Sequence, residues 1–400
     1  MIHRLNDPVY VARPVLPDLE VFALRLREIW ESKWLANGGP QHQIFEEKVR
    51  ETLKVPHVSL FNNGTIALMV AVQSLRLQGE VITTPFTFPA TTHVLYWNGI
   101  TPVFCDVDPE TLTLDPQRIE ELITHRTSGI LGVHVYGIPC DVECIGKIAE
   151  RHGLRVIYDA AHAFQSEIDS IGIGNFGDIS MFSFHPTKLF HTGEGGCLTY
   201  NDPNLKPRID LLKNFGIKNE FEVIMPGING KMNEIQSLLG QLVLEVVGDE
   251  RARRKALRQR YQNELAGTVG ITFPSAPDST VDSFQYLVVR IDEEEFGASR
   301  DDVYTTLRDC NIFARKYFFP LTSHFPCYRN LPTARPEFLP NANRVAREVL
   351  CLPYYGELPL DTVSLICQVI KEVPRTLHRK SEWHRRRGQR NVGRPLSLSP

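Results

Sequence analysis

The chain has 400 residues, of which 42% are hydrophobic and 23% charged, and its 44 basic and 47 acidic residues give a net charge of −3 at pH 7. This composition is typical of a globular protein and excludes a disordered, collagen-like or coiled-coil chain. Since there is no excess of positive charge, neither nucleic acid nor a membrane surface is an expected partner.

No part of the sequence is expected to enter a membrane or to hold a metal. Residues 55–75 and 81–105 contain no charged side chain, but Pro, Asn, Gly and Thr interrupt both, so buried strands, loops and helices near an uncharged site are predicted. The first residues lack the basic and then apolar order of a secretory leader. The eight cysteines form no C-x-x-C pair, which favours buried, reduced thiols in a cytoplasmic protein over zinc ligands.

Short apolar segments alternate with helical patterns through the first 235 residues. The alternation predicts helices over 17–35, 41–54, 66–72, 88–97 and 142–152, and strands over 58–61, 81–84, 101–106, 129–136, 154–159 and 178–184. Strands separated by helices in this way are typical of βαβ units. The sequence therefore predicts an α/β fold with a mostly parallel central sheet flanked by helices.

The pattern changes after residue 235, which indicates a second domain. A long helix is predicted over 234–265, then strands near 270–273 and 284–291 and helices near 299–309 and 341–349. We expect a large domain at 1–245 that includes an N-terminal arm, and a smaller C-terminal α+β domain at 246–373. The arginine-rich tail at 374–400 is predicted to be disordered, with a patch for nucleic acid or another anionic surface as the alternative.

Asn63, Gly64 and Thr65 stand between a predicted strand and a predicted helix. Open α/β sheets bind their ligands at the carboxyl ends of the strands. A helix N-terminus there suits a phosphate, because its N–H groups and the helix dipole attract an anion and a glycine allows close approach. A helix cap with a turn glycine is the alternative interpretation.

Two ionisable residues occupy similar positions. Asp159 ends a predicted strand beside small residues, and is either a helix cap or the partner of a protonated ring nitrogen of a cofactor. Lys188 lies in an apolar and aromatic run, where desolvation lowers the pKa of an amine and prepares it for a Schiff base. A lysine that extends to solvent from a strand end is the alternative.

Gly172, Gly174 and Gly177 satisfy the G-x-G-x-x-G spacing of dinucleotide-binding proteins. That motif requires a strand before it and a helix after it. These glycines instead precede the strand predicted at 178–184. We therefore interpret them as a loop and reject a Rossmann dehydrogenase.

Together these positions resemble the fold-type-I pyridoxal-phosphate enzymes, and the sequence is most similar to the DegT/DnrJ/StrS family of nucleotide-sugar aminotransferases. The resemblance covers most of the chain, through seven segments in family-like order: 34–38, 63–68, 83–88, 133–137, 159–163, 183–188 and 227–234. It implies the fold-type-I aminotransferase fold, pyridoxal 5'-phosphate as the cofactor and pyridoxamine phosphate as its aminated form. Gly230-Lys231 departs from the Tyr-Arg common in the family, which implies a different contact with the substrate.

The resemblance also implies a role for each matching residue. Lys188 is the expected Schiff-base lysine and moves the proton, and Asp159 keeps the ring nitrogen protonated. The other expected cofactor contacts are Phe88 stacked on the ring (or, alternatively, in the core), His162 near the ring hydroxyl, and Gly64, Thr65 and Ser183 on the phosphate. Asn229 matches a residue that reaches the cofactor of the neighbouring subunit, which implies a homodimer with shared active sites.

The implied reaction transfers an amino group from L-glutamate to a nucleotide-linked keto-deoxy-sugar. The segment after Lys188, Leu-Phe-His-Thr-Gly-Glu-Gly-Gly, is closer to members that act on 4-keto-6-deoxyglucose, so dTDP-4-keto-6-deoxyglucose and dTDP-4-amino-4,6-dideoxyglucose are the predicted substrate and product. The alternatives are a 3-keto sugar aminotransferase and a pyridoxal-phosphate-binding regulatory protein without turnover. Related dehydratases have His in place of the lysine, so the presence of Lys188 argues against a dehydratase.

Overall fold

The computed structural model describes residues 4–374. Its helices are α1 Leu19–Ser32, α2 Pro40–Thr52, α3 Gly64–Ser74, α4 Pro89–Trp97, α5 Val142–His152, α6 Leu205–Leu212, α7 Glu234–Leu265, α8 Glu293–Phe296, α9 Arg300–Asp309 and α10 Pro340–Glu348. A further helix runs from 360 to 374. None of the helices in this part of the chain is long and apolar enough to cross a membrane.

A seven-stranded sheet forms the centre of the molecule. Its strands are β1 His57–Phe61, β2 Glu80–Thr83, β3 Thr101–Phe104, β4 Thr127–Val133, β5 Arg155–Asp159, β6 Ile179–Ser183 and β7 Gly196–Tyr200. Their order in space is β1-β7-β6-β5-β4-β2-β3. Only β7 in this sheet is antiparallel to its neighbours. The predicted α/β fold with a mostly parallel sheet is confirmed, although the sequence analysis does not predict β7.

The uncharged segments of the sequence build the interior around this sheet. Seven of the eleven residues of α3 are buried, and the helix packs against the sheet and against α4 and α6. β1, β2 and β3 are also largely buried. Because the buried residues of α3 and of these strands carry no charge, the loops at their ends form a site whose few polar side chains stand in apolar surroundings.

The C-terminal part of the chain adds a small antiparallel sheet of β8 Ile271–Thr272, β9 Leu287–Ile291 and β10 Val349–Leu352. Its hydrophobic core includes residues of α9 and of the 360–374 helix. The long helix α7 contributes Val243 and Val247 to the core around β1 and Leu257 and Tyr261 to the C-terminal core. A domain boundary at 245 would lie inside this helix, so the division at 1–245 and 246–373 stays a prediction, and the tail at 375–400 lies outside the described residues.

Two predicted strands are shorter than expected. β4 ends at Val133, and Tyr136 follows with a left-handed backbone (φ 59°) that no strand can adopt. β9 begins at Leu287, and the residues before it, 282–286, bond to side chains of α7 in place of a neighbouring strand. Both irregular segments lie beside the cavity described below.

Three further expectations concern loops and cysteines. The segment from Gly172 to Gly177 forms a short strand and a helical turn before β6, so the interpretation of its glycines as a loop without a following helix agrees with the structure. All eight cysteines are free, and six are buried. Cys327 is exposed, so the expectation of buried thiols is wrong for this residue. Within residues 4–374, no three His, Cys, Asp or Glu side chains are grouped to hold a metal ion.

Candidate active site

A cavity of about 650 Å³ lies at the carboxyl ends of the parallel strands. This is where an open α/β sheet binds its ligand. It gathers seven of the eight residues that the resemblance assigns to the site: Gly64, Thr65, Phe88, Asp159, His162, Ser183 and Lys188. They come from four separate stretches of the chain, and the sheet brings them together.

One end of the cavity is an anion site built from the start of α3 and the end of β6. The Asn63 side chain caps the helix by accepting the Ile66 N–H at 2.8 Å. Gly64 and Thr65 are the first helical residues, so their N–H groups have no carbonyl partner within the helix. A Cβ on Gly64 would lie 2.9 Å from Ser183 Cβ. Only glycine therefore allows the helix to start this close to the strand, with the Ser183 hydroxyl beside its exposed N–H groups.

Asp159 is a buried carboxylate that lines the same cavity. Its Oδ2 accepts the hydroxyl of Thr91 at 2.8 Å, and its Oδ1 accepts the Ala161 N–H at 3.1 Å. Burial raises the pKa of Asp159, while these two hydrogen bonds and the charge of Lys188 act in the opposite direction. A cation placed in the cavity would stabilise the ionised carboxylate further.

Lys188 follows β6 in an irregular loop. Burial lowers the pKa of Lys188 from 10.5 to about 8, and the charge of Asp159 offsets part of this effect. Its Nζ lies 5.7 Å from the centroid of the Tyr286 ring. At pH 7 an amine with this pKa is about one-tenth deprotonated, far more than an ordinary lysine, and the deprotonated form is the nucleophile. Lys188 is half-buried and lines the cavity, which favours a desolvated amine over a side chain that extends to solvent.

His162 is held as a neutral ring. Its Nδ1 accepts the Tyr136 N–H at 3.1 Å, which leaves the ring proton on Nε2. Burial, followed by the charge of Lys188, lowers the pKa of His162 well below its usual value. The ring stacks on Phe318 with centroids 5.8 Å apart and planes 7° apart. His162 is therefore a fixed hydrogen-bond donor.

The C-terminal part of the chain supplies a wall of the cavity that the sequence analysis does not identify. Tyr286, Tyr317 and Phe318 line it, and the hydroxyl of Tyr136 donates to the backbone carbonyl of Tyr317. Phe88 stands at the N-terminus of α4 with 56% of its surface exposed. The alternative interpretation of Phe88 as a core residue is therefore wrong, and its ring is available to a ligand.

Asn229 does not line this cavity. Its side-chain oxygen accepts a hydrogen bond from Lys231 Nζ at 3.0 Å, and its backbone oxygen accepts one from the Asn62 side chain at 3.2 Å. The neighbouring Gly230 is tightly enclosed, since a Cβ there would lie 2.9 Å from Ile66 Cγ2. The packing around position 230 therefore leaves no room for a side chain.

The residues present fit pyridoxal phosphate. The start of α3 with Ser183 matches a phosphate, the buried Asp159 matches a pyridinium nitrogen, and Phe88 offers an aromatic face. Gly64 is the most specific of these features, because any side chain at that position would collide with Ser183 on the other side of the anion site. Lys188 adds the amine that Schiff-base chemistry requires.

Comparison with known proteins places the chain in a family. The model of the DegT/DnrJ/EryC1/StrS aminotransferase family matches residues 19–371. The dTDP-4-amino-4,6-dideoxy-D-glucose transaminase of Escherichia coli is 45% identical and covers 92% of this chain and 99% of its own, and that of Shigella dysenteriae is 44% identical and covers 92% and 100%.

A solved structure of DesI in the presence of its TDP-sugar product superposes with a TM-score of 0.90 at 34% identity, covering 96% of this chain and 97% of that one. The match extends over nearly the whole fold, which includes the cavity and the strands that end at it. The predicted family is confirmed: the chain belongs to the DegT/DnrJ/EryC1/StrS aminotransferase family.

Proposed function

We propose that this protein transfers the amino group of L-glutamate to dTDP-4-keto-6-deoxyglucose and produces dTDP-4-amino-4,6-dideoxyglucose, with pyridoxal phosphate as its cofactor. The observation that carries the proposal is one cavity that joins a desolvated Lys188, a buried Asp159 and the open start of α3. These are the amine, the carboxylate and the anion site that such a cofactor requires.

Each residue of the cavity has a role in this proposal. Gly64, Thr65 and Ser183 bind the phosphate, while Phe88 covers one face of the ring. Asp159 pairs with the ring nitrogen, and the Nε2–H of His162 donates to the ring hydroxyl. When bound, pyridoxal phosphate supplies an aldehyde that carries the amino group and a ring that accepts electrons.

Lys188 transfers the proton in the proposed reaction. With a pKa of about 8, its amine is close to equally divided between the protonated and free forms near pH 8, so it can both accept and return a proton at the reacting carbon. Tyr286, Tyr317 and Phe318 shield the amine from water on the C-terminal side. This shielding keeps the pKa low, because hydration stabilises the charged ammonium.

Support for the sugar comes from the relatives. The two transaminases at 44–45% identity are both named for dTDP-4-amino-4,6-dideoxy-D-glucose, and their similarity covers nearly their full length. The structure of DesI was determined in the presence of its TDP-sugar product. The cavity, at about 650 Å³, has the size of a site for a small-molecule ligand.

A second copy of the chain is part of the proposal. Asn229 is exposed and stands outside the cavity of its own chain, and nearby side chains of an exposed hairpin are apolar, with Phe221 90% and Val223 69% exposed. Clusters of exposed apolar side chains are typical of interfaces. We infer a homodimer in which Asn229 completes the phosphate site of the other subunit.

The dimer can be tested by complementation. A dimer of one Lys188→Ala chain and one Asn229→Ala chain contains one site with both residues intact. Co-expression of the two variants should therefore give more activity than the sum of the separate homodimers. Activity that equals the sum, or a monomer in sedimentation analysis, would contradict shared sites.

The first experiment on the reaction is a visible spectrum of the protein with pyridoxal phosphate, before and after L-glutamate is added. A band that appears on binding and bleaches with L-glutamate is expected, and Lys188→Ala should lack it, while Lys255→Ala, which removes an exposed lysine of α7, should retain it. Analysis of the sugar product then distinguishes 4-amination from 3-amination. A protein with no such band, or with a band that no amino acid changes, would contradict the proposed transamination and favour a dehydratase or a binding protein without turnover.

A further inference from the structure

Residues 282–286 form an irregular segment between α7 and the active-site cavity. Three arginines of α7, spaced so that they share one helix face, bind its backbone carbonyls. The bonds are Arg251 Nη2 to Asp282 O at 2.8 Å, Arg254 Nη1 to Phe284 O at 3.3 Å and Gln285 O at 3.4 Å, and Arg258 Nη2 to Tyr286 O at 3.2 Å. Charge-assisted bonds of this kind are stronger than neutral ones. The 282–286 segment is therefore fixed to the long helix.

The most buried of these arginines is itself firmly held. Arg254 is 1% exposed, and its Nε donates to Glu250 at 2.7 Å. Glu250 also accepts the Gly356 N–H at 2.8 Å, so the pair connects α7 to the C-terminal core. A buried ion pair with its hydrogen bonds satisfied has little freedom to move.

The other side of the 282–286 segment holds the lysine loop. Gln285 is 4% exposed. Its Oε1 accepts the Leu189 N–H at 2.6 Å, and its Nε2 donates to the Thr187 carbonyl at 3.0 Å. One side-chain amide thus binds the peptide groups on both sides of Lys188.

Two other residues of the 282–286 segment also contact proposed active-site residues. The hydroxyl of Ser283 donates to the His162 carbonyl at 2.7 Å, and the Tyr286 ring lies 5.0 Å from that of His162 and 5.7 Å from Lys188 Nζ. The segment therefore fixes the backbone of two proposed active-site residues and covers them with an aromatic ring.

We propose that Gln285 is a positioning residue that fixes Lys188, an inference that rests on the proposed role of Lys188 in transamination. The lysine loop lies outside any helix or strand, so no backbone ladder holds it. A reacting group must be held within a fraction of an ångström of its productive position. Gln285 supplies this restraint and excludes the water that the Thr187 and Leu189 peptide groups would otherwise bind.

The test compares Gln285→Met, which keeps the side-chain length and removes the amide, with Gln259→Met, a matched change at an exposed glutamine of α7. The first readout is reductive methylation of Lys188 in the cofactor-free full chain, followed by mass spectrometry across pH. In the wild type the midpoint is expected near pH 8. In Gln285→Met it should rise by about one pH unit, because water that enters the loop stabilises the ammonium.

Two further readouts separate positioning from a general loss of stability. Hydrogen exchange at the Leu189 amide should be faster in Gln285→Met, while exchange in β5 is unchanged. With the cofactor bound, kcat should fall about 10- to 100-fold with little change in the KM for the sugar, which is the signature of a misplaced reacting group. Gln259→Met should match the wild type in all three measurements.

The results distinguish the two proposals. A folded Gln285→Met protein with an unchanged methylation midpoint and unchanged kcat would overturn the positioning role. If the midpoint shifts and neither protein converts the sugar, the positioning role holds and the proposed reaction is wrong. Should Gln285→Met fail to fold, Gln285→Asn provides the same test, since its amide is one methylene too short to reach both peptide groups.

Discussion

Two buried aspartates occupy equivalent places in the central sheet and have different surroundings. Asp106 follows β3 and is 2% exposed, and Asp159 ends β5 and is 5% exposed. Both oxygens of Asp106 accept backbone N–H groups at the start of α10, from Asn341 at 2.9 Å and Ala342 at 2.8 Å. Asp159 accepts one backbone N–H and one hydroxyl, and it lines the cavity.

The difference teaches what separates a structural acid from a functional one. A helix N-terminus supplies fixed donors and a favourable dipole, so Asp106 joins the sheet to the C-terminal part of the chain and has no need of a ligand. Asp159 has weaker internal compensation, and burial raises its pKa. The carboxylate that its own chain compensates least is the one placed to meet a cationic ligand.

Replacing Asp159 with Asn tests this contrast with the largest expected effect. Asn has the same shape and cannot carry the negative charge that keeps a ring nitrogen protonated. We expect kcat to fall about 10²- to 10³-fold, the usual consequence of removing one preorganised electrostatic group. Steady-state kinetics measures the loss, and thermal unfolding should show no large destabilisation. A variant with nearly wild-type kcat would show that the carboxylate is not functional.

The same change at Asp106 should affect stability and leave the chemistry intact. Asp106→Asn places an amide against two backbone donors, one of which then loses its acceptor. Removing such a charged bond to a helix start is expected to lower the free energy of unfolding by about 2 kcal/mol. Urea denaturation measures this, and kcat of the folded protein should stay within about twofold of wild type. A loss of kcat as large as that of Asp159→Asn would abolish the distinction between the two acids.

The sequence contains enough to place the main residues of the site. Gly64, Asp159 and Lys188 follow strands, and parallel strands end at one edge of a sheet, so these residues must lie near one another once the sheet is predicted. The absence of charge around them indicates burial, which explains why the pKa shifts of Asp159 and Lys188 agree with the chemistry expected of them.

The remaining contacts depend on how distant segments pack. Tyr286 lines the cavity and Gln285 binds the lysine loop, in a segment whose backbone carbonyls are bound by arginines of α7. The charge-rich half of that helix is typical of a solvent-exposed face, although Arg254 is buried. Thr91 gives a weak signal, as one of several hydroxyl residues in an otherwise apolar and uncharged run. No local pattern indicates which carboxylate its hydroxyl meets.

The positive charge of Lys188 acts on Asp159 and can be removed as a further test of the two acids. At pH 7 the folded protein must keep Lys188 largely protonated in a site that lowers its pKa from 10.5 to about 8. Lys188→Met removes this cost. The lowered pKa corresponds to about 3 kcal/mol, and because the Lys188 side chain is only half-buried, we expect the cofactor-free variant to be more stable than the wild type by about 2 kcal/mol. Urea denaturation at pH 7 measures the difference.

The pH dependence of this gain has a definite sign. Between pH 8 and 10.5 the unfolded chain binds more protons at Lys188 than the folded chain does, so wild-type stability rises with pH at this group and the advantage of Lys188→Met shrinks. Lys255→Met, at an exposed lysine of α7, should show neither the gain nor its loss. A Lys188→Met protein less stable than wild type at pH 7 would mean that the site tolerates the ammonium.

The smallest effect concerns the hydroxyl that distinguishes the donors of Asp159 from those of Asp106. Thr91 has one proton and gives it to Asp159, so the hydroxyl of Thr87, 2.8 Å away, must donate to Thr91. In Thr91→Val the ionised carboxylate loses a donor, so the pKa of Asp159 rises further. The acid limb of the kcat profile should therefore lie at a higher pH than in the wild type. A hydrogen bond worth about 1 kcal/mol corresponds to a shift of slightly less than one pH unit. The pH profile of kcat, measured beside the wild type, tests this; an acid limb that does not move would mean that Ala161 alone is sufficient to keep the carboxylate ionised.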